Sequence, residues 1–543
     1  MRRERRMRDC TVLGAGLFAA LLLAAGGTLL GLGTSGAAAQ GVSAGRAGGA
    51  PVDGARVFAS TCAACHGTGA SAGRGPNLFD ARLLASLGDT GLHDKIVNGV
   101  PGTEMPAFKS LLSEAQIGAV IAHLRAGAAA AAPSAVAQAG AGATAPPPDP
   151  DGQRIHSEKQ DFRLDAVATG LDTPWALAFL PDGRMLVTER SGNLRVIDKA
   201  GRLLPDPVQG VPRAHIGQDA GLFDVAVNPA DGQGGWVYLA YAESDPNAPE
   251  PPAPEPGAPA YLIKRKPSMT VVVRGKVDAN NRWVEQQDVF RVPWSLYTPS
   301  GMHYGIRLLF DGKGHLFFSI GERGDLKNAR DLGTPLGKIH RVNADGSIPT
   351  DNPFVQRPGA VASIWSSGHR NPQGLAIDPA TGLLWESEHG PVGGDEINII
   401  EKGKDYGWGS ATKGVQPGID ALSAPGTIDP VAWYFPTIAP SGMTFYTGNR
   451  YPGWKGSLFV GALRGQQLRR LTVKGRQVVS QEVVFEQLGR VRDIATGPDG
   501  LLYALVQEPT GPGTRFSLSD PTPGRVVRLT PIVWQSEPMR RAP

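Results

Sequence analysis

Apolar and polar positions repeat with a strand-like period over most of this chain. From about Asp161 to Trp534 one short grammar recurs: an apolar run of strand length, a turn carrying Asp, Asn, Pro or Gly, then a second apolar run. The copies are LAFLPDGRMLVTE, VAVNPADGQGGWVYLAYA, LLFDGKGHLFFSIGE, LAIDPATGLLWESE, MTFYTGNRYPGWKGSLFVGA and IATGPDGLLYALV. Asp-Gly turns suit hairpins because glycine tolerates the positive φ of a tight turn. Six such copies, irregularly spaced at blade length or longer, predict an all-β six-bladed β-propeller over residues 159–534, its blades interrupted by loops. A long β-sandwich is the competing architecture. The Pro-rich SDPNAPEPPAPEPGAPA, Ser244 to Ala260, is a surface loop in either.

A different period governs residues 51–127. SEAQ, Ser113 to Gln116, is a capping box, and Ile117, Val120, Ile121 and Leu124 follow on one helical face, where they read as core. A small all-α unit is expected. Residues 128–158 are rich in Ala, Pro and Gly with almost no large apolar side chain, so they read as a linker. A flexible segment of this length spans on the order of 30 Å, enough to let the two folded parts meet.

The first 39 residues follow a third pattern: basic MRRERRMR, an apolar run from Thr11 to about Gly33, and an A-x-A site at Ala37 to Ala39. That is the layout of an export signal, and an uncleaved inner-membrane anchor is the alternative. A periplasmic location is expected, with membrane contact only if the signal stays uncut. Cys10 precedes the apolar run, wrongly placed for lipoprotein processing. The formal net charge of +4 is small for 543 residues and its clearest cluster lies in that signal, so no nucleic-acid surface is expected.

The chain has three cysteines, and two of them sit in ASTCAACHGTG. C-x-x-C-H attaches haem c: thiols of Cys62 and Cys65 one helical turn apart add to the two vinyl groups, and the adjacent His66 is held beneath the iron. Zinc lacks a second Cys or His pair nearby, and a redox dithiol has no use for the histidine. Met105 in GTEMPAF is the candidate for the opposite axial position, with His93 and His123 as alternatives. The unit resembles a small class I cytochrome c, GPNL (Gly75 to Leu78) standing at that family's haem-pocket proline segment.

Four propeller segments carry further chemistry: MHYGIRL (Met302 to Leu308), SSGHRNPQGLAIDP (Ser366 to Pro379), SEHGPVGGDEINII (Ser387 to Ile400) and GRVRDIATGPDG (Gly489 to Gly500). With GQDAGLFDVAV, LGKIHRVNADGSIPTDNPF and IAPSGMTFYTG they resemble the soluble pyrroloquinoline quinone (PQQ) glucose/sorbosone dehydrogenase family, most closely its aldose sugar dehydrogenase branch, from about Leu171 to Val506. The resemblance implies PQQ and calcium as cofactors, a sugar as substrate and, with the haem, a periplasmic electron acceptor: a cytochrome, a cupredoxin or a terminal oxidase.

Residue by residue, the resemblance implies His303 as general base, suited by an ordinary imidazole pKa near working pH. Glu322 in GERG stands where the family has the Asp of GDxG, and is the acid beside that base. Arg370 and Asn371 are placed near the reactive carbonyl, and Arg490 and Arg492 at PQQ carboxylates, in keeping with a tricarboxylate's need for planar cationic forks. Arg464, before GQQL, stands where much of the family has lysine. Gln218 in GQDAG resembles the family's glutamine at the sugar hydroxyl. The carbonyls of Gly390 and Pro391 are assigned to the calcium at PQQ, and Glu396 and Tyr406 to a second, structural calcium, although Asp395 and Glu396 read equally well as solvated turn residues. Two rival readings stand beside this one: a catalytically inactive propeller that binds carbohydrate or protein next to a carrier cytochrome, and a dehydrogenase of sorbosone-like aldehydes or alcohols.

Overall fold

The six repeated hairpins become the two inner strands of six antiparallel blades. The computed structural model describes residues 52–66, 78–79, 81–100, 105, 107–109, 111–130, 147–232, 235–253, 263–416, 418–419, 421–435, 437–510 and 520–532. The export segment, most of GPNL, residues 131–146 of the expected linker and the side chain of Cys65 lie outside them.

The inner strands are Pro174–Phe179, Leu222–Val227, Leu308–Phe310, Pro372–Ile377, Pro440–Phe445 and Arg490–Thr496, for blades 1 to 6 in chain order. Each packs against the next, and the sixth returns to the first, closing the ring. Blade 1 has three strands and blades 2 to 5 have four, whereas blade 6 is built from both ends of the domain. Its strand Pro523–Pro531 pairs with Phe162–Asp172, for example Leu164 with Leu529, so the ring is latched by hydrogen bonds between residues far apart in sequence. The competing sandwich is thereby excluded.

Apolar side chains fill the gaps between neighbouring blades. Continuous burial from Val237 to Ala242 and along Leu502–Gln507 marks central strands covered on both faces. At the axis the inner strands approach closely: a Cβ on Gly442 would stand 2.1 Å from Asp493 Oδ1. There Arg307 Nη1 meets Asp224 Oδ1 at 3.2 Å and Asp493 Oδ1 at 3.1 Å, all three side chains buried. This triad joins the inner strands of blades 2 and 6 to the strand entry of blade 3.

The N-terminal unit is four helices, α1 (Gly54–Thr61), α2 (Ala63–His66), α3 (Ala81–Asn98) and α4 (Glu114–Ala130). Asp53 caps α1 by accepting from Ala55 and Arg56 N–H, and α3 breaks at Gly88, φ 63°. The capping box forms as expected: Gln116 N–H donates to Ser113 Oγ at 3.3 Å, and Ser113 N–H to Gln116 Oε1 at 2.9 Å. Ile117, Val120, Ile121 and Leu124 are all buried against α1 and α3.

The linker is shorter than 128–158. Alanine is the best helix former, and α4 runs on to Ala130. On the other side Asp149 pairs with Arg525 Nη1 at 2.5 Å, and strand Arg154–Ile155 already extends blade 6. Among the described residues no helix is long and apolar enough to cross a membrane.

Candidate active site

Every blade starts on the same face of the ring, so the residues just before the inner strands, and those just after the second strands, converge there. His303 lies in the loop entering blade 3, Glu322 just after that blade's second strand His315–Ile320, and Arg370 and Asn371 just before the inner strand of blade 4. Main-chain bonds join them: Glu322 N–H donates to Arg370 O at 2.9 Å, and Gly321 N–H to Tyr304 O at 3.2 Å. Gly305 N–H donates to Asn371 Oδ1 at 3.0 Å.

Both oxygens of Glu322 lie 2.9 Å from His303 Nδ1, and Glu322 is only 1% exposed. A carboxylate there fixes the proton on Nδ1 and leaves Nε2 as the basic nitrogen. His303 itself has φ 50°, and its N–H donates to Asp219 Oδ2 at 3.2 Å. The longer arm of glutamate relative to the family's aspartate thus still reaches the imidazole.

Around this pair lies a concentration of guanidinium groups. Arg492 is 7% exposed, donates from Nη1 to Gln373 Oε1 at 2.7 Å and stacks over Trp175 at 4.0 Å. Burial lowers its pKa well below the arginine range, and the charges of Arg490, Arg307 and Arg190 lower it further. Arg490 is pushed down to about 10, by burial and then by Arg464 and Arg190. Arg370 donates from Nη1 to His389 O at 3.1 Å and lies 5.2 Å from Trp408. Asp219 acts back on Arg190, Arg490 and Arg492, whereas on Arg370 Glu322 acts first, then Asp395 and Glu388, with Asp219 after them. Among the described residues, Nε of Arg370, Nε of Arg492 and Nε2 of His389 are buried without a hydrogen-bond partner. Cations that depress one another's pKa while holding donors in reserve fit a ligand with several carboxylates.

Sequence reasoning missed Arg190, Asp219, Trp175 and Trp408, and gave His389 no role. Arg190 donates to Gln218 O at 2.5 Å. The Gln218 side chain is itself engaged, its Oε1 accepting from Arg265 Nε at 3.1 Å. His389 Nδ1 faces Asn371 Nδ2 at 3.3 Å, and its pKa is held well below the usual range by burial and then by Arg492, Arg370 and His303. Arg464 is at the exposed rim, and its Nη2 donates to Ala59 O of helix α1.

Gly390 and Pro391 sit in a tight loop. Gly390 N–H donates to Asp395 Oδ1 at 2.9 Å, and a Cβ on Gly390 would stand 2.2 Å from Gly393 O. Asp395 is fully buried, not a solvated turn residue: its Oδ2 accepts from Thr437 Oγ1, Ile438 N and Ala439 N at 2.7, 2.6 and 2.8 Å. Its charge is spent on shaping the loop. Main-chain carbonyls presented by such a loop are donors suited to a hard cation.

Glu396 belongs to a larger acidic cluster. Asn398 Nδ2 reaches Glu386 Oε2 at 3.0 Å, Glu396 Oε2 at 3.3 Å and Glu388 Oε1 at 3.4 Å. Ligand atoms of His369, Glu386 and Glu388 lie within 4.8 Å of one another. Burial, then the charge of Glu388, holds Glu386 and Glu396 well above the carboxylate range. Tyr406 stacks on His369, and its hydroxyl donates to Ile399 O at 2.6 Å, so its phenol is committed elsewhere.

In the helical unit, His66 N–H donates to Cys62 O at 3.0 Å, which sets the two on one helical turn, and His66 is buried. Cys62 and Met105 both pack against the unit's apolar core. His93 Nε2 pairs instead with Glu114 Oε2 at 2.7 Å, and His123 packs against the rings of Phe58 and Phe79. A thiol and a thioether against one apolar core, with a buried imidazole one helical turn from the thiol, form a donor set that fits haem c, in which His66 and Met105 would be the residues to hold the iron.

Residues 171–515 match the family Glucose / Sorbosone dehydrogenase, and residues 49–124 match Cytochrome C oxidase, cbb3-type, subunit III. The aldose sugar dehydrogenase YliI of Escherichia coli (strain K12) is 40% identical over 350 residues, 63% of this chain and 89% of that protein. The apo-form structure of the soluble aldose sugar dehydrogenase from Escherichia coli superposes with TM-score 0.59 at 35% identity, covering 68% of this chain and all of that one (100%). The PQQ-bound aldose sugar dehydrogenase from Streptomyces coelicolor gives 0.52 at 27% identity, covering 70% and 100%. A cytochrome c domain followed by a six-bladed propeller with this His–Glu pair and this arginine field makes the assignment plain: the chain belongs to the glucose/sorbosone dehydrogenase family.

Proposed function

We propose that this chain is a periplasmic quinohaemoprotein that oxidises aldose sugars at the anomeric hydroxyl to lactones, with PQQ and calcium as cofactors. Electrons leave through the haem c attached to the same chain and pass to an external cytochrome, cupredoxin or terminal oxidase. The observation that carries the reading is the field of mutually depressed guanidiniums, with buried unpartnered donors, beside a histidine locked by a buried glutamate.

Bound in that field, the ortho-quinone supplies the hydride acceptor, chemistry no side chain offers. The protein's own residues do the rest. Arg490, Arg492 and the rim residue Arg464 would hold the quinone's carboxylates, and Arg370 with Asn371 would bind near its reactive end. The carbonyls of Gly390 and Pro391 would hold the calcium ion. His303 Nε2 takes the proton of the anomeric hydroxyl, and Glu322 balances the charge that the imidazole gains. Gln218 would bind a sugar hydroxyl. A second calcium at Glu396 would relieve the mutual repulsion of Glu386, Glu388 and Glu396.

The test is dye-linked turnover across a panel of sugars, with the protein reconstituted with PQQ and calcium and His303→Ala as control. Turnover of aldoses that depends on both cofactors and is lost in His303→Ala is expected. No turnover with any sugar would favour a binding module, and turnover of aldehydes or alcohols alone would move the substrate class.

A further inference from the structure

One propeller side chain is buried in another domain's core. Val415 belongs to a loop of blade 4, yet it is 8% exposed and clusters with Val57, Phe58, Leu84, Phe108 and Leu124 of the helical unit. Val392 and Phe435 pack against the same cluster, as do Cys62 and Met105. The three propeller residues form one patch. Val415 N–H donates to Val392 O at 3.1 Å, and the Phe435 ring occupies the space a Cβ on Gly393 would need. Val392 follows directly on Pro391, so a haem-attaching cysteine, the axial methionine candidate and the loop of the cation-binding carbonyls all border one apolar cluster.

Two polar contacts frame it, both on helix α1, which leads into Cys62. Arg56 Nη2 meets Glu486 Oε2 at 3.1 Å, and Arg464 donates to Ala59 O. Arg464 is also a guanidinium whose charge depresses Arg490 inside the pocket.

We propose that Val392, Val415 and Phe435 form the surface on which the haem domain docks to take electrons from the sugar-oxidising pocket, with Arg464 linking the pocket's charge to helix α1. The proposal rests on the sugar-oxidising reading above. Each sugar oxidised releases two electrons and two protons. The haem iron takes one electron at a time, passing from ferric to ferrous, and the external acceptor reoxidises it before the second arrives; the protons leave to solvent. A small apolar contact suits this use, because the tether keeps the domain at high effective concentration without requiring a large interface. The exposed Arg56–Glu486 pair sets orientation more than affinity.

The test uses the full chain reconstituted with PQQ and calcium, reading haem reduction by glucose in single turnover and, separately, turnover with a small diffusible dye. Val415→Asp puts an unpaired carboxylate into the apolar contact, so haem reduction slows about tenfold or more while dye turnover stays within about twofold. Arg56→Glu slows haem reduction about threefold, and Arg56→Glu with Glu486→Arg restores it. In solution scattering without cofactors or sugar, Val415→Asp has the larger radius of gyration. Dye turnover with an unchanged haem rate or an unchanged radius in Val415→Asp overturns the docking surface, as does a charge swap that fails to restore the rate. Absence of dye turnover in the parent overturns the functional reading instead.

Discussion

Glu322→Gln isolates the charge beside His303 from its geometry. Glutamine keeps the length of the side chain and an oxygen to accept the Nδ1 proton, so the ring stays aimed, but the negative charge is gone. The carboxylate lies 2.9 Å from Nδ1 through both oxygens and is 1% exposed, so solvent screens it little. Charge centres about 4 Å apart at an effective dielectric of about 20 interact by about 4 kcal/mol. Because the His303 side chain is 17% exposed, part of this is screened, and about 3–4 kcal/mol is a fair expectation. That corresponds to a loss of roughly 10²–10³-fold in kcat. The charge matters only as the imidazole takes up the proton, so KM stays within about threefold. Dye-linked turnover of glucose over a range of concentrations gives both constants. An unchanged kcat, or a loss confined to KM, would refute the role given to Glu322.

Further outcomes follow from the same geometry. Arg492→Gln removes a charge-assisted contact of about 1.5–3 kcal/mol, so the Kd for PQQ, read by fluorescence titration, rises about 10–100-fold; a change under about threefold contradicts the arginine field. Gly390→Ala forces a Cβ to within 2.2 Å of Gly393 O, so the rise in Tm that calcium gives the parent with PQQ, and that a chelator removes, is absent in the variant. Buried His340, its Nε2 against Pro335 O and Nδ1 against Ser363 Oγ, has its pKa pushed down to about 3. The unfolded chain therefore binds this proton below about pH 6.5 and the folded chain does not, so the residue's contribution falls on acidification, by about 2 kcal/mol between pH 7.5 and pH 5. Urea unfolding should show the destabilisation by His340→Gln shrinking by about that amount at pH 5.

The architecture was legible because each blade's inner hairpin carries a tight polar turn between two apolar runs. The outer strands were not: Gln477–Glu486 alternates toward solvent at the ring's edge and has no comparable signature. His303, Glu322, Arg370 and Arg492 could be named because each lies in a recognisable segment. Arg190 and Asp219 could not, because their role depends on charges brought in from blades 4 and 6, and a sequence carries no distance between them. The linker ran too long in the sequence reading because alanine-rich sequence is helical as well as flexible. The burial of Val415 by another domain leaves no local trace at all.

The most direct test of the account is absorbance of the protein's own haem after glucose is added to the chain with ferric haem, with and without PQQ and calcium. The account predicts that the reduced-haem band appears only when both cofactors are present, and fails to appear in His303→Ala. Haem reduction by sugar without either cofactor, or none with any aldose while the dye is still turned over, would contradict it.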